Sequence, residues 1–186
     1  MDAPGRAAVA CGIAIVALAA PAAAEGDRAL SLGIGWATFS APGKPKGSMA
    51  PPALSPDIGG ALSLAYEHAI GSDFALRGQL AGGVFHGGAE KGESATSYAA
   101  LAAAGVVVRF DVLKYVPYAF AELGAVVSGG GPIDRGAEFV VAIGGGLDVL
   151  ASRARSWGPE LTLASFGGDV TVFTVGVRGS VRWGYF

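Results

Sequence analysis

The sequence predicts an all-β fold, an eight-stranded antiparallel up-and-down transmembrane β-barrel, preceded by an export signal. Three observations predict it. Eight stretches of the chain alternate apolar residues with small or polar ones. Of its 186 residues 52% are hydrophobic and only 15% charged, against roughly 25% charged in an average soluble domain. After the leader, no run reaches the ~18 apolar residues that a transmembrane helix needs. High hydrophobicity without a spanning helix fits a membrane barrel, whose apolar residues occupy every second position. The formal charge of −2 is too close to neutral to point to nucleic acid or to long-range steering toward acidic lipid.

Residues 1–24 read as a signal peptide: Arg6 supplies the positive end, Ala7 to Ala20 the apolar stretch, and Ala22-Ala23-Ala24 the small-residue cleavage site before Glu25. Cleavage near Ala24 leaves residues 25–186 as the barrel. The only cysteine, Cys11, leaves with the leader, so the mature chain offers no disulfide or thiolate metal site.

The strands follow in order. The first, Arg28 to Phe39, sets Leu30, Leu32, Ile34 and Trp36 against Ser31, Gly33, Gly35 and Ala37. Residues 40–57 then break the pattern with five prolines (Pro42, Pro45, Pro51, Pro52, Pro56) and two lysines, the composition of a long loop. The second strand, Ile58 to Ala69, opposes Leu62, Leu64 and Tyr66 to Ala61, Ser63 and Glu67, and ends in a tight turn at residues 70–73. The third puts Phe74, Leu76, Leu80 and Val84 opposite Arg77, Gln79 and Ala81, and the polar stretch His86 to Glu93 follows. The fourth, Thr96 to Val112, is nearly pure alanine in its middle. It reads as strand because helical periodicity is absent and Val106 to Val108 is β-branched.

The fifth strand, Tyr115 to Val127, leaves its facing open, because Tyr118 and Phe120 share a face with Glu122. A glycine-rich loop, Ser128 to Gly136, leads to the sixth, where Phe139, Val141, Ile143, Leu147 and Val149 oppose Glu138, Ala142, Gly144, Gly146 and Asp148. After a turn at Ser152 to Ser156, the seventh sets Trp157, Leu161 and Leu163 against Glu160, Thr162 and Ala164. The turn Gly167-Gly168-Asp169 opens the eighth, with Phe173, Val175, Val177, Val181, Trp183 and Tyr185 opposite Arg178, Ser180 and Arg182. Connections alternate long and short until the last, as outer loops and periplasmic turns do in bacterial barrels.

Alternation alone does not say which face is outside, since a soluble lipocalin-like barrel alternates with its apolar face inward. The second face decides. It is mostly Gly, Ala, Ser and Thr, whereas a water-facing surface carries roughly a quarter to a third charged residues. Small side chains suit the narrow lumen of eight strands. Aromatics gather near strand ends, Tyr66, Phe74, Phe110, Trp157, Trp183 and Tyr185 at one rim and Trp36, Tyr98 and Phe139 toward the other, as two interfacial girdles would.

With that orientation, Glu67, Arg77, Arg109, Asp111, Asp148, Glu160, Arg178 and Arg182 point inward in the periplasmic half, four acids with four arginines. Isolated charges in such an interior cost several kcal/mol each, and arginine bridges carboxylates well. An ionic plug at the periplasmic end is expected. Above it, small residues such as Gly33, Gly35, Ala81, Gly83, Ser97, Ala99, Ala142 and Gly144 leave room for a shallow cavity open to the exterior.

No nucleophile motif, metal cluster or phosphate loop is present, and no cofactor is expected; the runs at 129–131 and 144–146 are loop and strand glycines that do not open a helix. The leader, the eight strands, the segment Pro117-Tyr118-Ala119-Phe120-Ala121-Glu122-Leu123-Gly124 and the terminal Phe186 together resemble the small OmpA/OmpX-type outer-membrane β-barrel family over the whole mature chain. The resemblance implies an outer-membrane, porin-like location and makes Phe186 the signal for the barrel-assembly machinery. One departure is that Phe186 is in phase with Arg182 and Gly184, while Tyr185 continues the apolar face. Some eight-stranded barrels are lipid A deacylases with a histidine two residues before a serine; neither His68 nor His86 has that serine.

The leading expectation is a non-enzymatic envelope protein in contact with outer-membrane lipid, its loop 40–57 a surface for an extracellular partner. The alternatives are a narrow channel or small-ligand binder, and a soluble exported barrel. If the plug forms, Arg77→Ala or Arg109→Ala lowers unfolding stability in detergent by about 3 kcal/mol, against about 0.5 kcal/mol or less for Lys44→Ala in the loop. Equal effects from all three contradict it.

Overall fold

A strand with an apolar face and unpaired backbone edges is satisfied in a membrane only by closure. The computed structural model describes residues 27–43, 53–88, 96–110 and 114–184. Its strands are β1 (Arg28–Pro42), the two-residue β2 (Ala53–Leu54), β3 (Ile58–Ala69), β4 (Phe74–His86), β5 (Thr96–Arg109), β6 (Tyr115–Gly129), β7 (Gly136–Ser152), β8 (Arg155–Phe166) and β9 (Val170–Trp183). Leaving β2 aside, each pairs antiparallel with the next, and β9 pairs with β1 to close an eight-stranded barrel.

The closure is staggered. Paired residues followed round the wall from Ala29 pass through Glu67, Arg77, Gly105, Glu122, Ala142, Ala164 and Val172 and return to β1 at Phe39, ten residues further on. Stagger of this kind tilts the strands and fixes the barrel's width. It also puts Glu67, Arg77 and Glu122 on one circuit.

The apolar face points outward. Ile34 is 68% exposed and Leu32 65%, while Ser31 between strands' lumen positions is 3% exposed. That is the inverse of a soluble lipocalin-like barrel, which would bury the large residues.

The structure resolves the facing of β6. Tyr118, Phe120 and Glu122 all point into the lumen and are buried. The reason lies across the ladder, where Tyr118 pairs with Gly146 and Phe120 with Gly144. A Cβ at Gly144 would strike both the Phe120 ring and the Leu161 carbonyl, and one at Gly146 both the Tyr118 hydroxyl and the Pro159 carbonyl. Glycines on β7 thus make room for two inward rings that no other residue there would admit.

Three connections differ from expectation. The loop 40–57 is not loop throughout: β1 runs on to Pro42, and Ala41 and Pro42 pair with Leu54 and Ala53 in a short arm beyond the wall. Pro42 is tolerated because it lies where the strand meets an edge. Pro45, Pro51 and Pro52 lie outside the described residues, as do the leader and part of the 86–93 connection. The glycine-rich connection after β6 holds a 3-10 turn, Gly131–Ile133, whose Ile133 is fully buried. The expected turn at Ser152 to Ser156 tightens to residues 153–154, beside an irregularity between Leu150 and Ser152.

Gly144→Val crowds both the Phe120 ring and the Leu161 carbonyl and is expected to lower stability in detergent by about 1–3 kcal/mol. Gly78, with open space where its Cβ would be, should tolerate the same change within about 0.5 kcal/mol. Denaturant titration of both variants checks this, and equal losses contradict the seating of the ring.

Candidate functional site in the barrel lumen

The half of the lumen at the end where the chain termini emerge holds one connected set of ionisable side chains. Arg77, from β4, lies 3.0 Å from Glu67 and 3.2 Å from both Glu122 and Glu160. Its second Nη also donates to Gln79 Oε1 at 3.0 Å. Arg178, from β9, grips Asp148 with Nε and Nη2 at 3.2 and 2.8 Å, and its Nη1 reaches Glu67 at 3.0 Å and Glu160 at 3.3 Å. Arg109 pairs with the other oxygen of Glu67, and Arg182 with Asp148 at 2.8 Å. Tyr118 donates its hydroxyl to Glu160 at 2.9 Å.

Beneath the two central arginines lies an aromatic shelf. The Arg77 guanidinium sits 4.1 Å from the centre of the Phe120 ring and that of Arg178 3.9 Å from Tyr118. Planar guanidinium groups stack on rings while forking to carboxylates in their own plane. Both arginines are only 2% exposed, and Glu67, Glu122 and Asp148 only 1%. Charges buried this deeply persist only when paired.

Seven of the eight charged residues expected from the sequence stand together here: Glu67, Arg77, Arg109, Asp148, Glu160, Arg178 and Arg182. Asp111 lies outside the described residues. Glu122 was missed. Its carboxylate lies beside Arg77 Nε without the alignment of a hydrogen bond. With it the described cluster has four arginines and four carboxylates. The signal that could have found it is the pair Gly144 and Gly146, which let the face carrying Tyr118, Phe120 and Glu122 turn inward.

Above the cluster is a cavity of about 70 Å³, lined by small residues such as Gly33, Ser63, Ala81 and Ala99 with Leu101, Thr162 and Thr174. Its lining includes the small residues that suggested a cavity in this half of the lumen. Phe39, Phe85, Phe166 and Ile133 form a buried apolar cluster at the outer end, with Phe39 and Phe85 meeting edge to face at 5.3 Å. Phe85 fits because Gly59 and Gly83 flank it: a Cβ at either would lie within 3.0 Å of its ring. The turn carrying Ile133 is tied to the β8–β9 turn by an ion pair of Arg135 with Asp169 at 3.1 Å.

On the outer wall, Tyr66, Phe74, Phe110, Trp157 and Trp183 are exposed at the end where the chain termini emerge, and Tyr115, not singled out from the sequence, joins them. Tyr66 and Trp183 are in ring contact at 6.4 Å. Trp36, Tyr98 and Phe139 are exposed toward the other end, with Phe173 against Trp36. Tyr185 and Phe186 lie outside the described residues. His68 and His86 occupy outward positions at opposite ends of the wall.

Neither a protein-family model nor a curated protein sequence matches the chain. Solved structures do. The attachment invasion locus protein Ail of Yersinia pestis, solved with the heparin analogue sucrose octasulfate, is 17% identical, with a TM-score of 0.57 over 86% of this chain and 100% of that one. Neisserial surface protein A is 11% identical, with a TM-score of 0.63 over 84% and 97%. The outer-membrane protein OprG of Pseudomonas aeruginosa is 10% identical, with a TM-score of 0.55 over 83% and 95%. At these identities the likeness is one of architecture, and the chain has the fold of the small eight-stranded outer-membrane β-barrels.

Proposed function

We propose that the chain is a non-enzymatic protein of the bacterial outer membrane, its lumen closed toward the periplasm by the arginine–carboxylate cluster and its contacts made through its outer loops. The observation that carries this reading is the cluster itself. Arg77 and Arg178 each engage three carboxylates at 3.3 Å or less. An ion entering from below meets a lumen whose charges are already neutralised by one another rather than a row of free sites. Groups held this way act as a structural tie, not as an acid–base pair awaiting a substrate.

The outward apolar wall, flanked by aromatics at both ends, supports contact with outer-membrane lipid. Export by residues 1–24 and assembly through a terminal Phe186 complete the reading. Residues 40–57 are the proposed surface for an extracellular partner, because β1 and β2 carry this connection beyond the wall on a paired arm. Ail, among the structural neighbours, is by its name a protein of attachment, and outer loops in that use are consistent with the proposal. The cavity of about 70 Å³ favours a second reading, binding of a small molecule between the ionic cluster and the apolar cluster.

Recording in a planar bilayer separates closure from conduction. The wild-type barrel is expected to show no steady single-channel conductance at moderate voltage, and a steady open level would contradict closure by the cluster.

A further inference from the structure

The outward face of the wall is almost free of charge. Across the described residues of the eight wall strands, Arg28 and Arg155 are the only Asp, Glu, Lys or Arg at outward positions. Both stand at the end where the chain termini emerge. Arg155 on β8 is directly opposite Val181 on β9, and Arg28 on β1 is directly opposite Trp183, two residues further along β9. One lipid-facing strand therefore has an arginine on each side. Trp157 follows Arg155 on the same face, and Tyr66 packs against Trp183. Neither arginine forms an ion pair with any described residue, in contrast to the four arginines of the lumen.

A cation on a surface otherwise built for hydrocarbon is costly unless it meets a counter-charge at the headgroup level. Trp and Tyr rings mark that level. Arginine's planar fork matches phosphate oxygens, and an indole N–H adds a donor. We propose that Arg28 and Arg155, with Trp157 and Trp183 between and beside them, form a site for the phosphate headgroup of an anionic phospholipid in the periplasmic leaflet. The site is local, so the near-neutral net charge of the chain does not oppose it. It rests on the membrane reading above and adds a specific lipid class to it.

The test uses the protein purified in non-ionic detergent, titrated with phosphatidylglycerol or with phosphatidylcholine of the same acyl chains, with bound lipid counted by native mass spectrometry. Wild type is expected to retain phosphatidylglycerol about tenfold more tightly, the preference expected from cations at this depth. Arg28→Gln with Arg155→Gln should abolish the preference. Lys114→Gln with Arg153→Gln, which removes equal charge from turns of the same rim, should keep it. Arg155→Gln alone, at an exposed position, should lower it and guards against misfolding of the double variant. Equal retention of the two lipids by wild type, equal loss in both double variants, or displacement by inorganic phosphate alone overturns the proposal. A wild-type chain that enters vesicles but shows no preference sinks the lipid site only; one that does not enter vesicles removes the membrane reading beneath it.

Discussion

Four arginines enclosed by a closed wall need carboxylates to neutralise them, and much of this lumen follows from that constraint. Glu67 receives Arg77, Arg109 and Arg178; Asp148 receives Arg178 and Arg182. Neither carboxylate serves a single arginine, so removing one side chain strands several partners. Such a loss exceeds the cost of breaking an exposed pair, because the remaining charge stays buried. The arginines in turn depend on the rings beneath them, and the rings on Gly144 and Gly146. A chain of dependence thus runs from two missing side chains on β7 to the electrostatics of the whole ionic half of the lumen.

The lumen changes character along its axis. Paired charge fills the end where the chain termini emerge, small side chains leave space in the middle, and apolar rings with Ile133 pack at the opposite end. The two ends rest on different interactions. The ionic one relies on paired charges in a low-dielectric interior, and the apolar one on burial of Phe39, Phe85 and Phe166 together with the Arg135–Asp169 tie. On the outer wall the order is reversed: hydrocarbon-facing residues fill the middle, and among the described residues of the wall strands the outward charges stand at one rim.

Much of this was legible in the sequence because period-two alternation carries facing directly. Once Leu30, Leu32 and Ile34 were taken as outward, Arg77, Asp148, Glu160 and Arg178 had to be inward on their own strands. What was hidden depended on pairing between strands. The inward turn of Tyr118, Phe120 and Glu122 is decided by which β7 residues lie opposite, and register is not written in either strand alone. Phe39, Phe85 and Phe166 escaped for a similar reason: inward parity at the strand ends looks like a cavity lining until the rings and Ile133 are seen to meet. The arm formed by β1 and β2 was obscured by its prolines, which argue for loop wherever the edge position is unknown.

Every feature of the lumen and the wall requires a folded membrane barrel with its apolar face outward. A gel of the outer-membrane fraction, run in detergent with and without boiling, tests this. The account predicts that the protein is in that fraction and that the unheated band migrates differently from the boiled one, as a detergent-resistant barrel does. A protein recovered in the soluble periplasm, with no difference on boiling, would contradict it.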